Sequence, residues 1–200
     1  MAENLARISG SEDDRVNCPF YFKNGACRYG DRCTRQHIKP TKSVSLLFAH
    51  MYQNSPYAVA LASGHTIPED KLREVVDSFE NFYQEVFLEL AQFGEVVEMY
   101  VLDNLGDHLV GNVYVKFATE EDAESCKKSI SGRSYQGKLV MPEFSPVIDF
   151  SEGRCRQFDT TECRRGASCN FMHMKYVARD LLKAVHKQMY KENPQYKERQ

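Results

Sequence analysis

The chain has 200 residues, 42% of them hydrophobic, a formal net charge of −2, seven cysteines and no tryptophan. That is enough apolar material for one ordinary core, yet no apolar run approaches the roughly 18 residues of a membrane span, and the opening MAENLARISGSEDD lacks the basic-then-apolar order of a secretory leader. An intracellular, reducing compartment is expected, without a membrane or small-molecule partner, and there the cysteines argue for metal binding or buried thiols rather than disulfides.

The charge is unevenly spread. Residues 15–42 carry seven Lys/Arg against Asp31 alone, a net +6; residues 43–153 carry seven basic and eighteen acidic groups, a net −11; residues 154–191 carry nine basic and three acidic, a net +6. Two basic flanks around an acidic centre fit nucleic acid at the flanks and a different ligand in the middle.

Past an N-terminal segment, 1–14, the first module spans 15–39 and places Cys18, Cys27, Cys33 and His37 in a Cx8Cx5Cx3H spacing. Three thiolates and one imidazole suit a tetrahedral structural zinc site, which replaces the core that so short and polar a segment cannot build. Four protein ligands leave no open position for water or substrate, so a zinc hydrolase is not expected. Phe20, Tyr21, Phe22 and Tyr29 interleave with Lys23, Arg28, Arg32 and Arg35. Rings and guanidinium planes stack on unpaired bases while cations track phosphates, the mixture that single-stranded RNA requires.

Residues 43–147 show the period of a small mixed domain. SVSLLFAHMY (43–52) reads as a strand, and a loop ending in Pro68 leads to a helix over 69–93. Leu72, Val75, Val76, Phe79, Phe82, Val86, Leu90 and Phe93 form its apolar stripe. Strands follow at 96–103 and 109–118, then a helix at 120–130 carrying Cys126 as a buried thiol, and a last strand at 138–146. The order βαββαβ is the ferredoxin-like arrangement to which RNA recognition motifs belong, so the fold class is α+β.

An ordinary RNA recognition motif stacks bases on sheet aromatics, and most of those are missing. Against K/R-G-F/Y-G/A-F-V-x-F/Y, residues 110–117 read VGNVYVKF: Val110 replaces the basic residue, Asn112 replaces a ring, and Tyr114 remains. On the first strand the usual aromatic position aligns with Ser45. With −11 of local charge as well, this sheet is a poor RNA platform.

The second module, 153–175, repeats the first: Cys155, Cys163, Cys169 and His173 stand in a Cx7Cx5Cx3H spacing, giving two structural Zn2+ ions in all. Arg156, Phe158, Arg164, Arg165 and Phe171 supply its cations and rings. Thr34 and Gln157 are polar residues placed to touch RNA. Tyr21 and Phe158, each three residues after a first cysteine, are expected to pad the modules, with Phe158 kept among the RNA candidates. The final segment, 176–200, contains an amphipathic helix over 176–192 with Ala178, Leu181, Leu182, Val185 and Met189 on one face and Arg179, Lys183, Lys187 and Lys191 on another. It is expected to cover apolar sheet left bare by the missing aromatics.

Both modules resemble CCCH zinc fingers, in which aromatics two residues after the second and third cysteines often stack between bases. Those positions are Tyr29 and Arg35 in the first finger and Arg165 and Phe171 in the second. The centre resembles a U2AF homology motif, a variant that holds a tryptophan-bearing peptide between its first helix and an Arg-x-Phe loop. The resemblance places Glu85 and Glu89 at the acidic helix positions and Arg133, Ser134 and Tyr135 in the loop.

Finger, homology motif, finger and basic tail, with CRYGDRC, GEVVEMYVLDNLGDHLVGNVYVKF and CNFMH, are similar to the small subunits of the U2 snRNP auxiliary factor. That resemblance implies a nuclear, non-enzymatic splicing factor that heterodimerises with a large subunit and contacts the AG of a 3′ splice site in single-stranded pre-mRNA. Ser134 stands where the best-known members carry a tryptophan that enters the large subunit. The alternative left open is a zinc-finger scaffold that contacts only proteins. Strand topology adds one expectation. The last strand ends where the first begins, and short linkers (38–43 and 147–153) reach at most about 20 Å, so both fingers sit side by side and form one RNA site.

Overall fold

The computed structural model describes residues 16–199, so the expected N-terminal segment 1–14 lies outside the described residues. Helix α1 (Pro19–Asn24) belongs to the first finger, and β1 (Ser45–Phe48) opens the central domain. Helices α2 (Pro56–Ala62) and α3 (Glu69–Leu90), strands β2 (Val96–Val101) and β3 (Val113–Phe117), and helix α4 (Glu120–Ile130) follow. A hairpin of β4 (Ser134–Tyr135) and β5 (Lys138–Leu139) precedes β6 (Glu143–Phe144); α5 (Arg156–Thr160) lies in the second finger and α6 (Arg179–Glu192) follows it.

The helix boundaries have local causes. Thr119 caps α4 by accepting the Asp122 amide at 3.1 Å, with Glu120, Glu121 and Asp122 in the first turn and Lys127 and Lys128 in the last. Each charge thus opposes the helix dipole at its own end. Helix α2 was not expected within the loop before Pro68, although its signal is present: Ser55 accepts the Ala58 amide at 3.1 Å and Pro56 occupies the first turn.

The four-stranded sheet has the order β2-β3-β1-β6 with antiparallel neighbours throughout. This is the expected βαββαβ topology, but the strand expected over 109–118 spans only Val113–Phe117, because 107–111 form a turn with Gly111 at positive φ, and two other strands also differ. The first strand is only Ser45–Phe48, and the stretch expected as one last strand is divided into the β4–β5 hairpin and β6. Pro142 lies at that break, where the missing amide donor cannot continue a ladder.

One sheet face packs on α3 and α4 through Leu46, Phe48, Phe82, Tyr83, Phe87, Val113, Val115, Phe117 and Cys126. Leu72 and Val76 of the expected apolar stripe are exposed, while Tyr83 and Phe87 are buried in their stead. Helix α6 also differs from expectation. Its Val185 and Met189 join this same core, His186 meets the Phe87 ring edge-to-face at 4.9 Å, and Tyr190 donates to Glu95 at 2.8 Å. It therefore packs on α3 and does not cover the opposite sheet face.

A second cluster covers that opposite face instead. Tyr114 is completely buried there with Leu102, Leu109, Val147, Phe150, Met172 and Met174, joined by Leu47 and Tyr100. These side chains come from the sheet, the 147–153 linker and the second finger, so the face that would stack bases in an ordinary motif is the face on which the fingers dock.

Candidate metal centres, nucleic-acid interface and peptide pocket

The two fingers are built alike. Cys18 and Cys155 stand at the N-caps of α1 and α5, and each donates its amide across the module, to Gln36 and Met172 respectively, at 3.0 Å in both cases. A 3-10 turn, Gly30–Arg32 or Gly166–Ser168, ends at the third cysteine, Cys33 or Cys169. The chain then returns the histidine. Tyr21 stacks on His37 at 4.6 Å and 11°, and Phe158 stacks on His173 at 4.3 Å and 4°. Both rings pad a ligand imidazole, as the spacing predicts, so one face of Phe158 is occupied from within the finger.

Each set of three sulfurs and one histidine nitrogen lies within 4.8 Å of one another. A tetrahedral zinc with Zn–S bonds of about 2.3 Å requires S···S edges of about 3.8 Å. The Cys155–Cys163 and Cys169–Cys155 sulfurs are 3.7 and 3.8 Å apart. The Nε2 atoms of His37 and His173 are buried and accept no hydrogen bond, as ligand nitrogens aimed at a cation would be. Burial pushes the Cys27 thiol up to about 11 and the Cys169 thiol up to about 12, a cost that a bound cation offsets by stabilising thiolate. Arg165 donates to the Cys155 sulfur at 3.2 Å and adds positive charge beside the second set. The donor chemistry and geometry fit structural zinc.

The fingers touch. Phe20 of the first and Phe171 of the second meet edge-to-face with centroids 6.3 Å apart, and Arg165 lies over the other ring at 5.1 Å from the Phe171 centroid. Asn24 donates its side-chain amide to the Asn170 carbonyl. A cleft of about 530 Å³ between the modules is lined by Lys23, Arg156, Gln157, Arg165 and Phe171 among others. These five sequence-predicted RNA residues therefore share one concavity. Arg28, Tyr29, Thr34, Arg35 and Arg164 are exposed on the outer finger surfaces, with Arg28 over the Tyr29 ring at 5.6 Å.

Asn104 was not singled out from sequence, and the sequence names Tyr114 and Asn112 only against the usual stacking positions, not as residues that hold this arrangement. Tyr114 donates its hydroxyl to the Asn24 carbonyl, so the one ring left at the usual stacking positions holds the first finger. Asn104, in the β2–β3 connection, donates to the Phe171 carbonyl at 2.9 Å and accepts the His173 amide at 2.8 Å. Asn112, at a position where a stacking ring is usual, accepts the His50 amide at 3.0 Å and donates to the His108 carbonyl at 3.1 Å. An asparagine in a turn carries no sequence mark of a partner about 60 residues away.

A separate pocket opens between α3 and the hairpin. Its volume is about 250 Å³, and its walls include Met51, Val86, Leu90, Ile130 and Val140. Glu85, Glu89, Arg133 and Tyr135 ring it: Arg133 donates to Glu89 at 2.9 Å, Tyr135 donates to Glu85 at 3.2 Å, and the Arg133 guanidinium lies 5.2 Å from the Phe93 centroid. The four residues named by resemblance therefore surround one apolar slot whose rim holds two carboxylates, Glu89 ion-paired to Arg133 and Glu85 accepting from Tyr135. A wider cleft of about 710 Å³, lined by Asp70, Glu74 and Asp77, shares Glu85 and Tyr135 with it.

A split-βαβ sheet clasped by two Cys3His modules, each able to hold a metal ion, defines a protein of the RNA-recognition-motif class. The chain matches the models for the C-x8-C-x5-C-x3-H type zinc finger over residues 13–39 and the RNA recognition motif over residues 83–141. A splicing factor U2AF 26 kDa subunit of Bos taurus is 50% identical over 188 residues, covering 93% of this chain and 84% of the relative. A U2af small-subunit splicing factor of Arabidopsis thaliana is 49% identical over 181 residues, covering 90% and 64%. The splicing factor U2af 38 kDa subunit of Drosophila melanogaster is 49% identical over 183 residues, covering 90% and 69%. The chain belongs to the U2AF small-subunit family of splicing factors, which are not enzymes.

Proposed function

We propose that this chain is the small subunit of a nuclear, heterodimeric pre-mRNA splicing factor. Two structural Zn2+ ions shape its fingers, which together bind a short single strand at the AG of a 3′ splice site. Its central domain grips a tryptophan-bearing peptide of the large subunit. The observation that carries the RNA half is the cleft lined by residues of both fingers, Lys23 from the first and Arg156, Gln157, Arg165 and Phe171 from the second, with the Arg165 guanidinium over the Phe171 ring and Phe20 edge-to-face against that ring. Rings for bases and cations for phosphates are then presented by one rigid surface. The peptide half is supported by the pocket of about 250 Å³, apolar inside for an indole and acidic at Glu85 and Glu89 for basic neighbours of that indole.

The test is binding of a 3′ splice-site oligonucleotide to the zinc-loaded chain, with and without the large-subunit peptide, followed by the same measurement with AG changed to CG. Weaker binding of the CG strand is expected in both conditions. Equal affinity for the two strands would refute the sequence-reading role.

A further inference from the structure

Helix α6 buries Val185 and Met189 against the core and turns its opposite side to solvent. That side carries Arg179, Lys183, Lys187 and Lys191, all exposed and none in an ion pair among the described residues. The helix itself carries two acidic side chains, Asp180 in the first turn and Glu192 at the end, where Glu192 accepts from Gln188 at 2.9 Å. The cations recur every four residues, which places one about every 6 Å along roughly 18 Å of helix. Just before the helix, Tyr176 is 82% exposed, the most exposed large hydrophobic residue described.

A groove of about 360 Å³ joins this helix to the second finger. Phe158 and Arg154 line it on the finger side, Tyr176 and Leu182 on the helix side, and Tyr100 at the sheet edge. Charges within the groove are already matched: Arg154 makes two bonds to Asp159 at 3.0 and 3.2 Å, and Lys175 meets Asp103 at 2.8 Å. Arg154 also lines the cleft between the fingers, so the two concavities are neighbours on either side of one side chain. The groove supplies rings for base stacking, and the exposed cations of α6, the helix whose Leu182 lines that groove, supply charge for phosphate neutralisation beside it. An acidic protein segment would use the cations and leave the rings unexplained.

We propose that the groove between the second finger and α6, with the cation row on α6, is a second single-stranded RNA surface that holds nucleotides flanking those in the interfinger cleft. The proposal rests on the RNA reading of the fingers and extends it to a longer strand.

The zinc-loaded full chain should be titrated with a 5-nucleotide splice-site RNA and with a 12-nucleotide RNA containing it. The expected result is tighter binding of the longer strand. Changing all four cations (R179Q, K183Q, K187Q and K191Q) should weaken the longer strand about tenfold or more near 0.1 M salt. It should also reduce its log–log salt slope by about 2–3, at ~0.7 per phosphate, and leave the shorter strand unchanged. Tyr176→Ala should weaken the longer strand alone, and a photoreactive uridine in its extension should crosslink to the 176–191 peptide. Because these side chains are exposed, the melting temperature serves as a check that the variants fold. If the short strand binds and the extension adds nothing, or the cation variant weakens both strands equally, the flanking surface is wrong while the finger reading stands. Equal competition by a polyglutamate peptide of the same charge would assign the row to protein and overturn the proposal. If neither strand binds, both readings fail.

Discussion

Replacing Gly153 by alanine tests whether the fingers work as one site. A Cβ at this position would lie 2.6 Å from the Lys23 carbonyl oxygen, 2.7 Å from Asn24 Oδ1 and 3.2 Å from the Met172 sulfur. Restoring an ordinary contact near 3.4 Å requires the first finger to move about 0.8 Å from the linker. Two of the three atoms belong to the finger backbone or to Asn24, whose carbonyl receives Tyr114 and whose amide reaches Asn170. The methyl group therefore acts on the seam and on no metal ligand. Overpacking of this kind costs about 1–3 kcal/mol, and for a chain of this size each kcal/mol lowers the melting temperature by about 2–4 °C. A drop of about 4–8 °C is expected from a cost of about 2 kcal/mol. A binding constellation needs placement within about 0.5 Å, so RNA affinity should fall together with the melting temperature, while the zinc content stays at two per chain. Calorimetry, metal analysis and RNA titration of Gly153→Ala beside Glu152→Ala would decide the matter. Wild-type melting and wild-type affinity in Gly153→Ala would show that the seam neither is tight nor matters for RNA.

Tyr114→Phe removes one hydroxyl and leaves the Asn24 carbonyl without its donor in a buried seam; a loss of about 1–3 kcal/mol is expected by urea unfolding, and an unchanged midpoint would contradict the docking role. Chelation of zinc should abolish RNA binding and expose six cysteines to a thiol reagent while Cys126, whose thiol burial pushes up to about 12, stays unreactive until the central domain unfolds. Mass spectrometry after labelling checks this, and early modification of Cys126 would show that the central core does not survive metal loss. Burial lowers the His186 pKa, with Glu95 opposing, so the folded state favours neutral imidazole. Its stabilising contribution is then complete above the ordinary histidine value of about 6.5 and is lost as pH falls through the depressed folded value. The urea midpoint should drop between pH 7.5 and pH 5, less so in His186→Phe, and parallel curves for the two proteins would remove His186 from the account.

Features governed by local chemistry were legible in the sequence, and those governed by distant pairing were not. Both ligand sets could be read because four residues within about twenty must converge on one cation. Helix α4 was found at its observed bounds because its acidic first turn and basic last turn lie within its own eleven residues and its cap, Thr119, directly precedes them. The expected last strand failed because hydrophobic alternation continues through Pro142 while hydrogen bonding does not. Helix α6 was correctly seen as amphipathic, but amphipathicity does not name the surface that receives it. Tyr114 was recognised as the surviving ring on the sheet; that it is buried beneath the first finger follows from a contact 90 residues away.

The burial of Tyr114 also explains why the acidic centre does not conflict with RNA binding. In an ordinary motif the strand would cross the sheet face, where net charge of −11 over residues 43–153 would repel it. Here that face is closed by Phe150, Val147, Met172 and Met174, and the fingers docked on it carry their own exposed cations. The pocket ringed by Glu85 and Glu89 lies instead between α3 and the hairpin. Negative charge around that pocket favours a basic peptide and discourages phosphate, while the finger surfaces do the opposite. On the function proposed above, two ligands of opposite charge would not compete, because the sheet is occupied on one face by helices and on the other by the fingers themselves.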